Sequence, residues 1–229
     1  MTHFEQELAA LKEKLLTMAS KATYAVNKAI KAVVDRDDDL ARAVREEDGA
    51  LDRLEMEIDD VAIGLLAKAP LATDLRLITV AMKISHDLER VGDEATTIAR
   101  RSLELSQEPQ LKPYIDIPRM AKKALQMLGD ALDAFVNRNP EKARAVIPRD
   151  KEVDLLNKQL HRELASYMVE RPATITRCLN LMVISKSLER IADHATNVAE
   201  EVVYLYEAKD IRHTGKGEVP PSGSGSGST

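Results

Sequence analysis

Leu77, Ala81, Ile84, Leu88, Val91, Ala95 and Ile98 follow one another at alternating intervals of four and three residues. That spacing stacks side chains along one stripe of an α-helix and predicts a bundle seam. Ser85, Gly92 and Ala99 form a line of small residues one position behind the seam, which predicts close approach by a neighbouring helix. Upstream, Thr2 followed by Glu5 has the form of a capping box and predicts a first helix running to about Val34. Asp37 to Asp39 offer N-caps for a second helix that ends before Pro70, so the seam belongs to a third.

The same scheme is written twice. With an offset of 102, Asp35-Arg36 falls on Asn137-Arg138, Ala41-Arg42-Ala43-Val44 on Ala143-Arg144-Ala145-Val146, Asp48 on Asp150, Asp52 on Asp154 and Pro70 on Pro172. Beyond the prolines the offset becomes 100, and Ser85, Leu88-Glu89-Arg90, Asp93, Ala95-Thr96 and Ala99 fall on Ser185, Leu188-Glu189-Arg190, Asp193, Ala195-Thr196 and Ala199. A length difference confined to a turn is what surface loops tolerate. In the second copy Asn139-Pro140 reads as N-cap and first helical position, and Pro113 and Pro118 loosen the entry to the fourth helix. The expected fold is all-α: a tandem duplication of an up-down-up three-helix bundle, six long antiparallel helices in an elongated molecule. The first repeat covers residues 1–108 and the second 109–214, while residues 215–229, with Ser and Gly alternating from Ser222, form a disordered tail or appended linker.

Composition narrows the function. Aromatic residues make up 3% of the chain and Trp is absent, which disfavours strand-rich folds. A net charge of -5 argues against nucleic acid as a partner, because such proteins present Lys and Arg to the phosphates. The longest uncharged apolar run, Cys178 to Ser185, is far shorter than the roughly 20 residues that span a bilayer, and the acidic start is no signal peptide; a cytoplasmic protein is expected. The single cysteine, Cys178, reads as a small buried hydrophobe, and Met82 and Met182 as packing residues.

The chemistry lies in acids. Glu89 and Asp93 are four residues apart on one helical face, and Glu189 and Asp193 repeat the arrangement. Asp52 and Asp48 lie 18 and 22 residues before Pro70, and Glu89 and Asp93 lie 19 and 23 after it, so an antiparallel hairpin brings all four level. Asp154 and Asp150 precede Pro172 by 18 and 22, and Glu189 and Asp193 follow by 17 and 21. Both quartets fall on the flank of the seam, semi-exposed. Four carboxylates there call for protons, Lys or Arg partners, or a cation, and all-oxygen ligation suits Mg, Ca, Mn or iron. The plainer reading is a set of surface salt bridges with Arg90, Arg190 and Lys83. His86 lies three residues before Glu89 and could join the first site, but it falls on Lys186, and His194 falls on Glu94, so both are read as solvated or capping residues, and His161 as ordinary surface.

The segments His86-Asp-Leu-Glu-Arg-Val-Gly-Asp-Glu-Ala, Ser187-Leu-Glu-Arg-Ile-Ala-Asp-His-Ala-Thr-Asn and Tyr204-Leu-Tyr-Glu-Ala-Lys-Asp-Ile-Arg-His213 resemble the PhoU family across residues 3 to 214. The resemblance implies surface metal sites at Asp48, Asp52, Glu89 and Asp93 and at Asp150, Asp154, Glu189 and Asp193, for Mg, Mn, Zn or iron. Ala192 stands where the first motif has Gly92. It also implies a homodimeric, non-enzymatic negative regulator of phosphate uptake and of the phosphate-starvation response. Its implied partners are the ATPase subunit of the phosphate ABC transporter and a sensor histidine kinase of the phosphate regulon, which hold it peripheral to the inner membrane.

Two other readings compete. A carboxylate-bridged di-iron oxidase or metal hydrolase would carry inward Glu-x-x-His pairs or His-Glu-x-x-His, and neither occurs. A metal-free scaffold would keep the acids as solvated faces, with no thermal shift on adding metal.

Overall fold

A computed structural model describes residues 3–68 and 71–211 of the chain. Among them there is no strand. The elements are α1 (His3–Asp35), α2 (Asp38–Glu46), α3 (Gly49–Leu66), α4 (Ala72–Ser106), α5 (Asp116–Val136), α6 (Pro140–Val146), α7 (Asp150–Glu170) and α8 (Ile175–Glu207), with 3-10 turns at Ile147–Arg149 and Pro172–Thr174. The second helix of each expected trio is broken in two. Glu47 and Asp48 separate α2 from α3, and in the second repeat Pro148, which has no N–H to give, stands in the 3-10 turn between α6 and α7. Thr2, Pro70 and residues 215–229 lie outside the described residues.

The helix ends follow local chemistry. Asp37 caps α2 by accepting from the Leu40 N–H at 2.9 Å, and Asn139 caps α6 by accepting from Lys142 N–H at 2.9 Å, with Pro140 as first helical residue. The helices just before these caps end alike. Arg36 and Arg138 take left-handed φ of 55° and 52°, while Asp37 N–H reaches Ala32 O and Asn139 N–H reaches Ala134 O, closing a Schellman turn in each repeat. The connection after α4 is non-helical, as its prolines require, but it is not loose. Arg36 donates to the Ser106 and Glu108 carbonyls from one side, Arg177 donates to the Pro109 carbonyl from the other, and Lys112 pairs with Asp116 and Glu163.

Packing is organised around the two longest late helices. α1, α2 and α3 lie on α4, and α5, α6 and α7 lie on α8. Every seam residue from Leu77 to Ile98 is buried, as are Met18, Ile58, Met120, Leu128, Ile184 and Ile191. Each large apolar side chain so removed from water contributes about 1.5–3 kcal/mol before the cost of ordering it. Cys178 is buried, and Met82 and Met182 pack on the core.

The small-residue line admits a close neighbour, and at Gly92 that neighbour is Leu51 of α3. A β-carbon on Gly92 would stand 2.3 Å from Leu51 Cδ1. In the second repeat the two positions hold Val153 and Ala192, both buried: one carbon has left one helix and one has been added to the other.

The repeats join along α4 and α8. Lys83 meets Glu201 (3.0 Å), Asp87 meets Asn197 (3.1 Å), Glu94 meets Arg190 (3.1 Å) and Arg101 meets Asn180 (3.4 Å). Rising numbers on α4 face falling numbers on α8, so the two helices run antiparallel. Asp87, 8% exposed, also takes His194 Nδ1 at 2.8 Å. His194 is therefore a bond between the repeats rather than a solvated or capping residue. His161 is likewise no ordinary surface residue: its Nε2 lies 3.1 Å from Ser185 Oγ, which itself donates to Asn157 at 2.7 Å.

Candidate metal centre

The first acidic quartet is built where the α2–α3 break meets the middle of α4. Asp48 stands at the N-cap of α3 and Asp52 in its first turn; Glu89 and Asp93 come from α4. Asp48, Glu89 and Asp93 are half-buried and Asp52 is exposed. Burial raises the Glu89 carboxyl above its ordinary value, and the charges of Asp93, Glu55 and Asp52 add to this, against Arg90. Asp93 is also raised, first by burial and then by Asp48, Asp52 and Glu94, again against Arg90. The four groups named from the sequence thus lie within electrostatic reach of one another.

Protein groups already meet part of that charge. Arg90 Nη1 lies 3.1 Å from Asp93 Oδ2 and its Nε 3.4 Å from Glu89 Oε2, and Thr96 Oγ1 donates to Asp48 Oδ1 at 2.7 Å. Arg190 reaches across to Glu94 and Lys83 to Glu201, so of the three cations expected to serve the acids only Arg90 serves the first quartet. Glu89 Oε2 is buried and accepts no hydrogen bond.

The second quartet repeats the placement. Asp150 opens α7, Asp154 follows a turn later, and Glu189 and Asp193 come from α8. Asp150 carries the largest perturbation. Burial, then the charges of Asp193, Asp154 and Glu189, raise its pKa to about 6, with Lys186 opposing. Asp193 is raised by burial first and by Glu189 next. Lys186 pairs directly with Glu189. Asp150 Oδ1 and Thr196 Oγ1 are both buried without a hydrogen-bond partner, whereas their counterparts Asp48 and Thr96 bond to each other.

One feature escaped the sequence reading. Glu55 of α3 and His86 of α4 extend the first quartet by one turn: His86 Nδ1 lies 3.0 Å from Glu55 Oε1, and donor atoms of Glu55, His86 and Glu89 all lie within 4.8 Å of one another. The pairs 48 with 93, 52 with 89 and 55 with 86 keep one antiparallel register, so the hairpin count carried one turn further finds them. Their counterparts are Asn157 and Lys186. Carboxylate oxygens that carry no hydrogen-bond donor, gathered at a half-buried helix flank, are the donor set that hard divalent and trivalent cations take.

Known proteins carry the same plan. The family model described as the PhoU domain matches twice, at residues 15–102 and 117–202. The phosphate-specific transport system accessory protein PhoU homolog of Pseudomonas aeruginosa is 41% identical over 214 residues, which cover 93% of this chain and 88% of that protein. The phosphate-specific transport system accessory protein PhoU of Escherichia coli is 33% identical over 217 residues, covering 94% and 90%. The crystal structure of PhoU from Pseudomonas aeruginosa superposes with a TM-score of 0.87 at 40% identity, over 90% of this chain and 100% of that one. The phosphate transport system regulatory protein PhoU from Streptococcus pneumoniae gives 0.86 at 30% identity, over 91% and 99%.

Proposed function

Because this chain belongs to the PhoU family, we propose that it is a non-enzymatic accessory protein of the phosphate-specific transport system that restrains phosphate uptake and the phosphate-starvation response. Relatives at 33–41% identity over most of the chain carry that accessory designation, which supports the transport role. In the finer reading the protein is a cytoplasmic homodimer that contacts the transporter's ATPase subunit and a sensor histidine kinase at the membrane. No helix among the described residues is long and apolar enough to cross a membrane, so membrane placement would come through those partners. The two repeats, 1–108 and 109–214, act as two copies of one helical platform.

The observation that carries the metal reading is the duplicated convergence of Asp48, Asp52, Glu89 and Asp93 and of Asp150, Asp154, Glu189 and Asp193, in which burial first and neighbouring carboxylates next raise Glu89, Asp93, Asp150 and Asp193. A cation of Mg, Mn, Zn or iron type would relieve the mutual repulsion of these carboxylates, displacing the protons they hold. A metal-free role is favoured in the second repeat by the Lys186–Glu189 pair, a built-in cation.

The test is a phosphate-starvation reporter in rich phosphate, in cells lacking their own copy. Wild-type protein restores repression. If a Glu89, Asp93, Glu189, Asp193 to Ala variant folds but fails to repress, the acids are functional; equal repression leaves the regulatory reading standing and makes the metal incidental. Failure of the wild type in a compatible host overturns the regulatory reading.

A further inference from the structure

Three cations gather where the start of α4 meets the second repeat. Lys12 of α1, Arg76 of α4 and Arg138 at the α5–α6 corner line one cavity of about 360 Å³, against the end of α8. None of their side chains makes a hydrogen bond or ion pair among the described residues, and Arg76 Nε is buried. Lys12 is half-buried, and burial first and the Arg138 charge next hold its ammonium below its ordinary value. Like charges left facing one another, in a chain of net charge -5, call for an anion.

The matching corner of the first repeat shows what satisfies such a group. With the offset of 102, Arg138 falls on Arg36 and Lys12 on Tyr114. There Arg36 donates to the Ser106 and Glu108 carbonyls, and Arg177 donates to the Pro109 carbonyl and pairs with Glu108. The connection after α4 thus supplies acceptor oxygens to that corner from within the chain. At the second corner no described residue supplies them to Lys12, Arg76 or Arg138.

We infer that Lys12, Arg76 and Arg138 form a binding site for a small phosphate-bearing anion, held between the two repeats and separate from both acidic faces. Arg76 precedes Glu89 by 13 residues on α4, about 20 Å along the helix. The inference goes beyond the transport reading and uses no residue of the metal reading.

The chemistry favours phosphate over other oxyanions. Arginine offers N–H donors in a planar fork that fits phosphate oxygens, and lysine adds a compact charge. Among the described residues lining the cavity, Asp74 in the first turn of α4 is the one acid. A carboxylate accepts and cannot donate, so it takes the O–H that phosphate keeps near neutral pH and repels sulfate, which has none. Arg138 sits on a fixed corner: its left-handed φ of 52° closes the turn after α5, and Tyr206 OH donates to the Phe135 carbonyl beside it at 2.9 Å. Because the walls come from both repeats, a bound anion adds a link between them.

The test uses the full chain and buffers stripped of metal, titrated by calorimetry with inorganic phosphate, sulfate and adenosine triphosphate, alongside thermal melts. Inorganic phosphate is expected to bind once per chain and to raise the melting temperature. Lys12→Gln and Arg138→Gln should each weaken it ~10–100-fold, the loss of one charged hydrogen bond. Lys122→Gln, which removes an exposed cation elsewhere, should leave binding unchanged, and Asp74→Asn should bring sulfate level with phosphate. If the triphosphate binds more tightly through the same cations, the site stands and its phosphate belongs to a nucleotide. Equal affinity of the wild type for sulfate refutes the choice of phosphate. If neither phosphate nor triphosphate binds, or if both bind the Lys12→Gln and Arg138→Gln variants as tightly as the wild type, the site is refuted while the transport reading stands. If only a glutamate-rich peptide binds, and Arg138→Gln abolishes it, the cavity is a protein-docking surface and the small-anion site is refuted.

Discussion

Leu51 Cδ1 occupies the space where a β-carbon on Gly92 would stand, 2.3 Å from that point, and the same pair of positions in the second repeat holds Val153 and Ala192. The exchange of one carbon for another across the α3–α4 contact predicts a pairwise effect. Gly92→Ala alone should destabilise by about 1–3 kcal/mol through overpacking. Leu51→Val alone should cost about 1 kcal/mol through a lost methylene. Together they should cost less than their sum, because the valine vacates what the alanine fills. Urea midpoints of the four proteins measure the coupling, and strict additivity would refute the contact.

Asp150 makes stability depend on pH. Its folded pKa is raised to about 6 from an ordinary 3.8, so the folded state binds the proton more tightly than the unfolded chain. The resulting stabilisation is fully present below about pH 4 and is lost as pH rises through 6. Half-exposure screens the effect, leaving on the order of 1 kcal/mol. Asp150→Asn should therefore gain on the wild type between pH 4 and 7, which denaturation at a series of pH values will reveal. Parallel curves would show that Asp150 titrates normally.

Much of this was legible in advance. The Leu77–Ile98 seam is buried throughout, and Asp37, Asn139 and Pro140 cap as read, because helical period and capping chemistry are local. The hairpin register also survives the unexpected breaks, because Asp48 and Asp150 stand at the very starts of α3 and α7, so the rise from them to the turn stays helical. The breaks are marked in the sequence by Gly49, a weak helix former, and Pro148, which lacks an N–H. Glu55, with its bond to His86, and the bridging role of His194 were missed for one reason. Searching for residues that recur in both halves discards those that differ, and a contact between antiparallel repeats joins each residue to something other than its own counterpart, as Asp87 with His194 shows.

That contact supplies a third prediction. Asp87→Ala removes the acceptor shared by His194 and Asn197 and leaves both polar groups partly buried without it. A loss of about 1–3 kcal/mol is expected, and Asp87→Asn, which keeps an acceptor oxygen, should lose less. Amide exchange should quicken along both α4 and α8. Acceleration confined to one helix would mean that the bond does not join them.

Arg36 holds a left-handed φ of 55° and ties down the carbonyls after α4. Arg36→Gly loses the ties but relieves the backbone; Arg36→Ala loses the ties and keeps the strain. The alanine variant should be less stable than the glycine variant by about 1 kcal/mol. Equal stability by thermal denaturation would show that the left-handed turn carries no cost.

The pairing of α4 with α8 sets a timetable for synthesis. The face of α4 that bears Lys83, Asp87 and Glu94 is complete about 100 residues before its partner face on α8 has been translated. At 5–20 residues per second that interval is roughly 5–20 s. Throughout it the first repeat is a finished half with an open flank, so a ribosome that stalls after the first repeat releases a helical unit whose nearest available cover is another copy of itself.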